Sequence, residues 1–160
     1  LNYFANQVEF TQKLLEHPLT NLTIRLLSSH VYNNPFEKEI WHSIIPDVKI
    51  DTGKTNIHDL IAQSRLVVHG YDSTGILQTL SQNIPTLAFW QDGFDHLRES
   101  AKPYYQLLVD AGIVHLTAGS VAQKVNEVWD NVDGWWAQSE VQDAREKFCE
   151  CYARGSENPV

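Results

Sequence analysis

Residues 65–90 read RLVVHGYDSTGILQTLSQNIPTLAFW, and this stretch decides the fold class. Arg65 to His69 has the apolar run of a buried strand. Gly70-Tyr71-Asp72-Ser73 makes a tight turn, with Asp72 or Ser73 a natural N-cap for the next helix. Thr74 to Gln82 reads as that helix, Asn83 as its left-handed stop, and Pro85 to Trp90 as the next strand. Strand, turn, helix and strand in that order form a crossover unit, which joins parallel strands.

The same alternation extends in both directions. Upstream, Val48 to Asp51 is a short strand, and the polar loop Thr52–Asn56 leads into a helix carrying Ile57, Leu60 and Ile61. Phe4, Val8, Thr11 and Leu15 mark one face of a first helix, ended by His17-Pro18. Leu22 to Leu27 reads as a strand, and Pro35 to Ile44 as a helix with Phe36, Ile40, Trp41 and Ile44 inward. Downstream, Ala101 to Ala111 is helical and closes at Gly112, and Ile113 to Leu116 is a last short strand. Val121, Val125, Val128 and Trp129 give one more helix face, which Asp133-Gly134 breaks. Ser139 with Gln142 has the capping-box spacing for a final helix carrying Ala144, Phe148 and Tyr152. The fold class is therefore α/β, a doubly wound parallel sheet covered on both faces. VKID (48–51), RLVVH (65–69) and PTLAFW (85–90) are expected in one sheet, with their carboxyl ends on one edge.

Composition narrows the function. With 160 residues, 42% of them hydrophobic and 20% charged, the chain is not a disordered tail. Twelve Lys+Arg against 20 Asp+Glu leave a net charge of −8, which argues against a general nucleic-acid binder. It leaves room for one small anionic ligand held by backbone N–H groups. No apolar run approaches the roughly 20 residues of a membrane span, so any attachment at a membrane is expected to be peripheral, and the cysteine usage points to the cytoplasm. Cys149 and Cys151 are two apart, a spacing that would badly strain a bridge on a helix, and two cysteines fall short of a zinc site. They read as reduced packing residues. The seven histidines (17, 30, 42, 58, 69, 96 and 115) lack ligand spacing, and neither metal nor cofactor is expected. A chain without Met that opens at Leu1 reads as a piece of something longer. On that reading residues 1–160 form a single domain, 1–21 are its incomplete start, and 135–160 are a helical extension.

Several motif-like strings fail. Gly53-Lys54-Thr55 ends like a P-loop, but the required first Gly would fall at Val48. Gly70 to Gly75 has one residue too many for a nucleophile elbow, and no G-x-G-x-x-G occurs. The turn itself is more informative, because ligands on open α/β sheets bind beyond the carboxyl ends of strands. Free N–H groups, the positive end of the helix dipole, and the Ser73 and Thr74 hydroxyls together make an anion cradle. As caps, Asp72, Ser73 and Thr74 would look the same in sequence. If the strands are parallel, the Asp92–Arg98 loop lies on the same edge. Arg98 then approaches an anion at the turn and Asp95 or His96 a hydroxyl of the same ligand, unless this is only a solvated loop. Lys54 has a similar claim as an anion contact. Trp129, Trp135 and Trp136 either stack on a ring of a ligand or pin the C-terminal helix across the core.

SRLVVHGYDSTGILQTLSQNIPTLAFW (64–90) resembles the nucleotide-sugar-binding half of GT-B glycosyltransferases. The stretch from His96 to Arg154 resembles the end of bacterial transferases from surface-polysaccharide loci, distantly similar to glycerophosphotransferases. The resemblance covers most of the chain from about Leu22 onward. It implies a Rossmann-like C-terminal domain, a separate N-terminal acceptor domain, and a nucleotide-activated sugar or polyol phosphate as partner. It also implies that Gly70, Tyr71, Asp72, Ser73, Thr74 and Gly75 hold the donor diphosphate, with Arg98 near the phosphates, Asp95 or His96 at a sugar hydroxyl and Lys54 at a phosphate or the base. In such enzymes a Glu seven residues before the strand's Pro holds the ribose; here that position is Gln78, which keeps hydrogen bonding and loses the charge. The catalytic base is expected outside these residues, leaving the chain alone inactive. A sugar-nucleotide epimerase or hydrolase half, and a degenerate GT-B-like interaction module, are the competing readings.

Overall fold

A computed structural model of the chain describes residues 3–26 and 35–152. Leu27, where the first expected strand ends, His30, and the 153–160 end of the expected extension lie outside the described residues. In chain order the early elements are α1 (Tyr3–Gln12), α2 (Glu16–Thr20), β1 (Thr23–Arg25), α3 (Glu37–Ile44), β2 (Lys49–Asp51) and α4 (Ile57–Ala62). There follow β3 (Val67–His69), α5 (Thr74–Ser81), β4 (Thr86–Phe89), α6 (Lys102–Asp110), β5 (Val114–His115) and α7 (Ala118–Val128). A 3-10 turn (Trp129–Asn131), α8 (Val132–Trp136) and α9 (Ser139–Tyr152) complete the description. The fold is mixed α/β, with small parallel sheets alternating with helices. Two compact units make it up, one of residues 1–13 with 65–160 and one of 14–64.

In the larger unit β3, β4 and β5 form a parallel ladder with β4 central. Every residue of β4 is buried. Side chains alternate between sheet faces along a strand, so burial at each position means that both faces are covered. Phe89 meets Phe10 of α1 at 5.1 Å between ring centroids. Helix α7 packs on β4, β5 and α1, while α9 packs on α5 and α6. The apolar run RLVVH is half-buried rather than buried, because β3 stands at the edge of this ladder. Arg65 precedes the strand and stacks its guanidinium on Trp129, 4.6 Å from the ring centroid.

Two tryptophans pin the C-terminal helices. Trp135 and Trp136 are buried, and Trp136 Nε1 donates to the Asn83 side-chain oxygen at 2.8 Å. Asn83 is the left-handed residue expected at the end of α5, with φ of 56°. Other local expectations are corrected. The α7 path breaks at the 3-10 turn, before Gly134, which sits inside α8 under the Asn131 cap. Ser139 lies within α9, and Gln142 donates to the Trp136 carbonyl instead of closing a capping box. Helix α1 buries Asn6, Phe10 and Thr11; of the expected face Thr11 is buried, Phe4 and Val8 are half-buried, and Leu15 lies beyond the helix end, exposed.

In the 14–64 unit, β1 and β2 form a parallel pair of their own. VKID is therefore not in one ladder with RLVVH and PTLAFW: periodicity identifies a strand but not its neighbours. His17 and Pro18 do not end α1. They lie in the first turn of α2, where a missing N–H costs nothing. Trp41 of α3 is buried, whereas Ile40 of the same helix and Phe36 just before it are exposed. Asp51, at the carboxyl end of β2, accepts from Arg25 Nη1 at 2.5 Å and from the Thr55 N–H at 3.3 Å. Burial alone would raise the Asp51 pKa, but these bonds outweigh it and hold the carboxyl below its ordinary value. They also fix the Thr52–Asn56 loop that carries Lys54, which is exposed.

Two substitutions test this core. Leu87→Ala, in the central strand, is expected to lower the unfolding free energy by about 2–5 kcal/mol. Asn83→Gly should cost less than Asn83→Ala, the difference being about 1 kcal/mol, since only Ala strains the left-handed backbone. Urea titrations of the three variants measure both effects; equal costs at Asn83 would contradict the left-handed assignment.

Candidate functional site

The parallel ladder puts the ends of β3, β4 and β5 on one edge, and the expected turn leaves from there. Gly70–Ser73 connects β3 to α5, with Ser73 at the N-cap position in extended conformation. The Ser73 side chain makes no capping hydrogen bond. Asp72 does not cap either: its Oδ2 accepts from His96 Nε2 at 2.7 Å. The Ile76 N–H closes back on the Ser73 carbonyl at 3.1 Å. Thr74 and Gly75 open the helix, and their N–H groups precede any intrahelical acceptor. The residues expected to cap thus leave the positive end of α5 uncapped by side chains.

The turn is packed from below and from the side. The His69 ring lies under the first turn of α5, and a Cβ on Gly75 would come within 3.0 Å of its Cε1. His69 Nε2 meets Thr79 Oγ1 at 3.1 Å, which ties the end of β3 to the middle of α5. A Cβ on Gly70 would meet Gln7 of α1 at 2.8 Å, so the glycine admits the Gln7 amide. Asn6, buried beside it, accepts from Gln91 at 2.9 Å. Tyr71 and Tyr3 stand with ring centroids 6.1 Å apart. Short-range pattern in the sequence carried no sign of Asn6, Gln7 or Gln91, because their partners lie far along the chain.

The Asp92–Arg98 loop reaches the same turn through His96. Trp90 Nε1 donates to the Gly93 carbonyl at 2.8 Å, and its ring meets His96 edge-on at 6.1 Å. Asp95 and Arg98 are exposed on this loop, and Gln78 is exposed on α5. Tyr105 of α6 stands near Asp72; burial first, and the Asp72 charge second, push its hydroxyl up to about 12. Lys54 belongs to the 14–64 unit. A cavity of about 300 Å³ lined by Lys124, Glu127, Asn131 and Trp135 includes the candidate stacking residue Trp135 but none of the residues of the turn or of the Asp92–Arg98 loop.

His115, at the end of β5, has Nε2 2.8 Å from the Gly112 carbonyl and Nδ1 2.5 Å from Ser120 Oγ. A carbonyl can only accept, so Nε2 carries the hydrogen and Ser120 donates to Nδ1. Burial lowers the His115 pKa and favours this neutral form. Cys149 and Cys151 are free thiols, and burial raises the Cys149 pKa. Among the described residues no group of three His, Cys, Asp or Glu is placed to hold a metal ion.

Burial also pushes the His69 pKa down, to about 4, so the folded chain holds this imidazole neutral. The unfolded chain takes up that proton near the ordinary value of about 6.5. Stability is therefore full above that value and is lost as pH falls toward about 4, by on the order of 3 kcal/mol in all. His69→Gln should lose less stability than the parent chain between these limits, measured by urea titration at a series of pH values. Parallel curves for the two would remove His69 from the acid response.

Comparison with known proteins bears on the whole chain. Neither the curated proteins nor the solved structures give a significant match. A family model described as "LIC12162 family transferase" matches residues 1–160. With that match over its full length, and an α/β fold bearing an uncapped helix at the end of a parallel strand, the chain belongs to the LIC12162 family of transferases.

Proposed function

We propose that this chain is the donor-binding part of a transferase acting in bacterial surface-glycan assembly. The donor is a nucleotide-activated sugar or a nucleotide-activated polyol phosphate, used on the cytoplasmic side. One observation carries the reading: helix α5 starts directly after a glycine turn at the end of β3, and no side chain caps it. Such a terminus offers free N–H groups and the positive end of a dipole to a phosphate. In transfer, those donors stabilise the charge that builds on the leaving phosphate oxygens. The Ser73 and Thr74 hydroxyls add two hydrogen bonds, and Gln78 on α5 takes a ribose hydroxyl. Arg98, Asp95 and His96 meet the phosphates or the transferred group. A partner domain supplies the acceptor.

The uncharged Gln78 favours a second reading, a GT-B-like module that has lost its ligand and serves association. Calorimetry with a panel of nucleoside diphosphates separates the two, since the module binds none. On the donor reading, diphosphates bind far more tightly than the parent nucleosides, because the phosphates make the charge-assisted hydrogen bonds. Replacing Ser73 and Thr74 together with Ala should weaken diphosphate binding about tenfold or more, because both hydroxyl donors to the phosphate are removed. A double variant that folds by circular dichroism and keeps full affinity would move the ligand away from this turn.

A further inference from the structure

A pair of reactive side chains outside the Gly70–Thr74 turn lies at the end of β5. Ser120, in the first turn of α7, is exposed, and its Oγ stands 2.5 Å from Nδ1 of His115. The imidazole is buried, at 9% exposure, and its Nε2–H donates to the Gly112 carbonyl at 2.8 Å. The serine hydroxyl therefore donates to a ring nitrogen whose opposite side is fixed by a third group. A nucleophile bonded to a base that is itself oriented has the arrangement that activates a serine. We propose that Ser120 is an activated nucleophile, with His115 as its base, and that it accepts the acyl group of a small neutral carboxylic ester. The inference is independent of the phosphate reading of the turn after β3.

The surroundings give such a substrate room. Lys124, Glu127 and Asn131 follow Ser120 along one face of α7 and the 3-10 turn. With Trp135 they line the cavity of about 300 Å³, so that space begins one helical turn from the hydroxyl. Both ammonium groups nearby are already paired, Lys124 with Glu127 at 3.4 Å and Lys13 with Glu9 at 2.8 Å, so the site suits a neutral electrophile better than an anion. Lys13 Nζ lies 3.1 Å from where a Cβ on Gly119 would stand. A cation beside the nucleophile favours the negative charge that builds on the attacked carbonyl oxygen. In the step itself Ser120 Oγ bonds to the carbonyl carbon while its proton passes to His115 Nδ1. The ester C–O bond then breaks and the departing oxygen takes that proton, which leaves an acyl-serine, a free alcohol and a neutral imidazole. The Gly112 carbonyl and the Glu127 charge favour the transient imidazolium, against burial and Lys124.

The probe is p-nitrophenyl acetate, with nitrophenolate release followed by absorbance and the acetylated residue located by peptide mass spectrometry. The parent chain is expected to release about one nitrophenolate per chain in a fast phase and to carry the acetyl group on Ser120. Ser120→Ala, at an exposed position, should fold and lose the fast phase. His115→Gln should acetylate Ser120 about a hundredfold more slowly. A pH series on the parent tests the base without a variant at a buried position. The charged groups that bear on the ring are Lys124 and Glu127 of α7; the turn after α6 presents only the Gly112 carbonyl, and β4 sets Phe89 beside it. Burial lowers the His115 pKa, so acetylation of Ser120 is expected to be level near neutral pH and to fall only below the ordinary imidazole value of about 6.5. Acetyl groups on lysines alone, a fast phase that survives in Ser120→Ala, or a Ser120 rate that rises about tenfold per pH unit as unassisted alkoxide attack would, each overturns the inference.

Discussion

Everything at the candidate site depends on the hydrogen bonding of one strand. β4 pairs with β3 on one side and β5 on the other, all parallel, and its four residues are buried. Parallel pairing puts three carboxyl ends on a common edge, so the segments leaving them meet although they are far apart in sequence. The turn after β3 and the loop after β4 meet there, through Asp72 and His96. Without a central strand covered on both faces, no edge of this kind would exist.

The same edge shows how the fold handles polar groups near its core. His69 and His115 end β3 and β5, and each is held neutral by burial and tied to a neighbouring helix or its turn. His96 sits in the more open position and faces a carboxylate. Three histidines thus do two different jobs, and burial decides which. The two inner ones stiffen the strand ends, while the outer one ties the loop after β4 to the turn after β3.

In the 14–64 unit a similar logic works with a fixed cation. Arg25 bridges Asp51 and the Thr55 carbonyl, so the end of β2 and the following loop are held by one guanidinium. Arg is suited to this because it keeps its charge and offers several donors in a planar fork. The Lys54 loop is thus ordered by residues on β1 and β2, not by a phosphate-binding motif of its own.

Much of this architecture was legible in the residues. Apolar runs, turn chemistry and helix stops located β3, α5, β4, α6 and β5, because those signals act within a few residues and survive any tertiary context. Asn83 is left-handed because the local stop demands it. Ladder membership was not legible: VKID pairs with β1 in a sheet of its own, and RLVVH stands at an edge despite its apolar run, since strand neighbours are chosen by long-range packing. Nor could sequence say whether Asp72 and Ser73 cap α5. Their side chains have the right chemistry for it, but the carboxylate has a competing partner in His96, 24 residues away. The sequence by itself determined the α/β class, the turn and its helix; tertiary structure alone decided that the helix stays uncapped and that Asp72 faces an imidazole. Helix and turn formation is settled by local backbone energetics, whereas a side chain's choice between two acceptable partners depends on what the rest of the chain brings within reach.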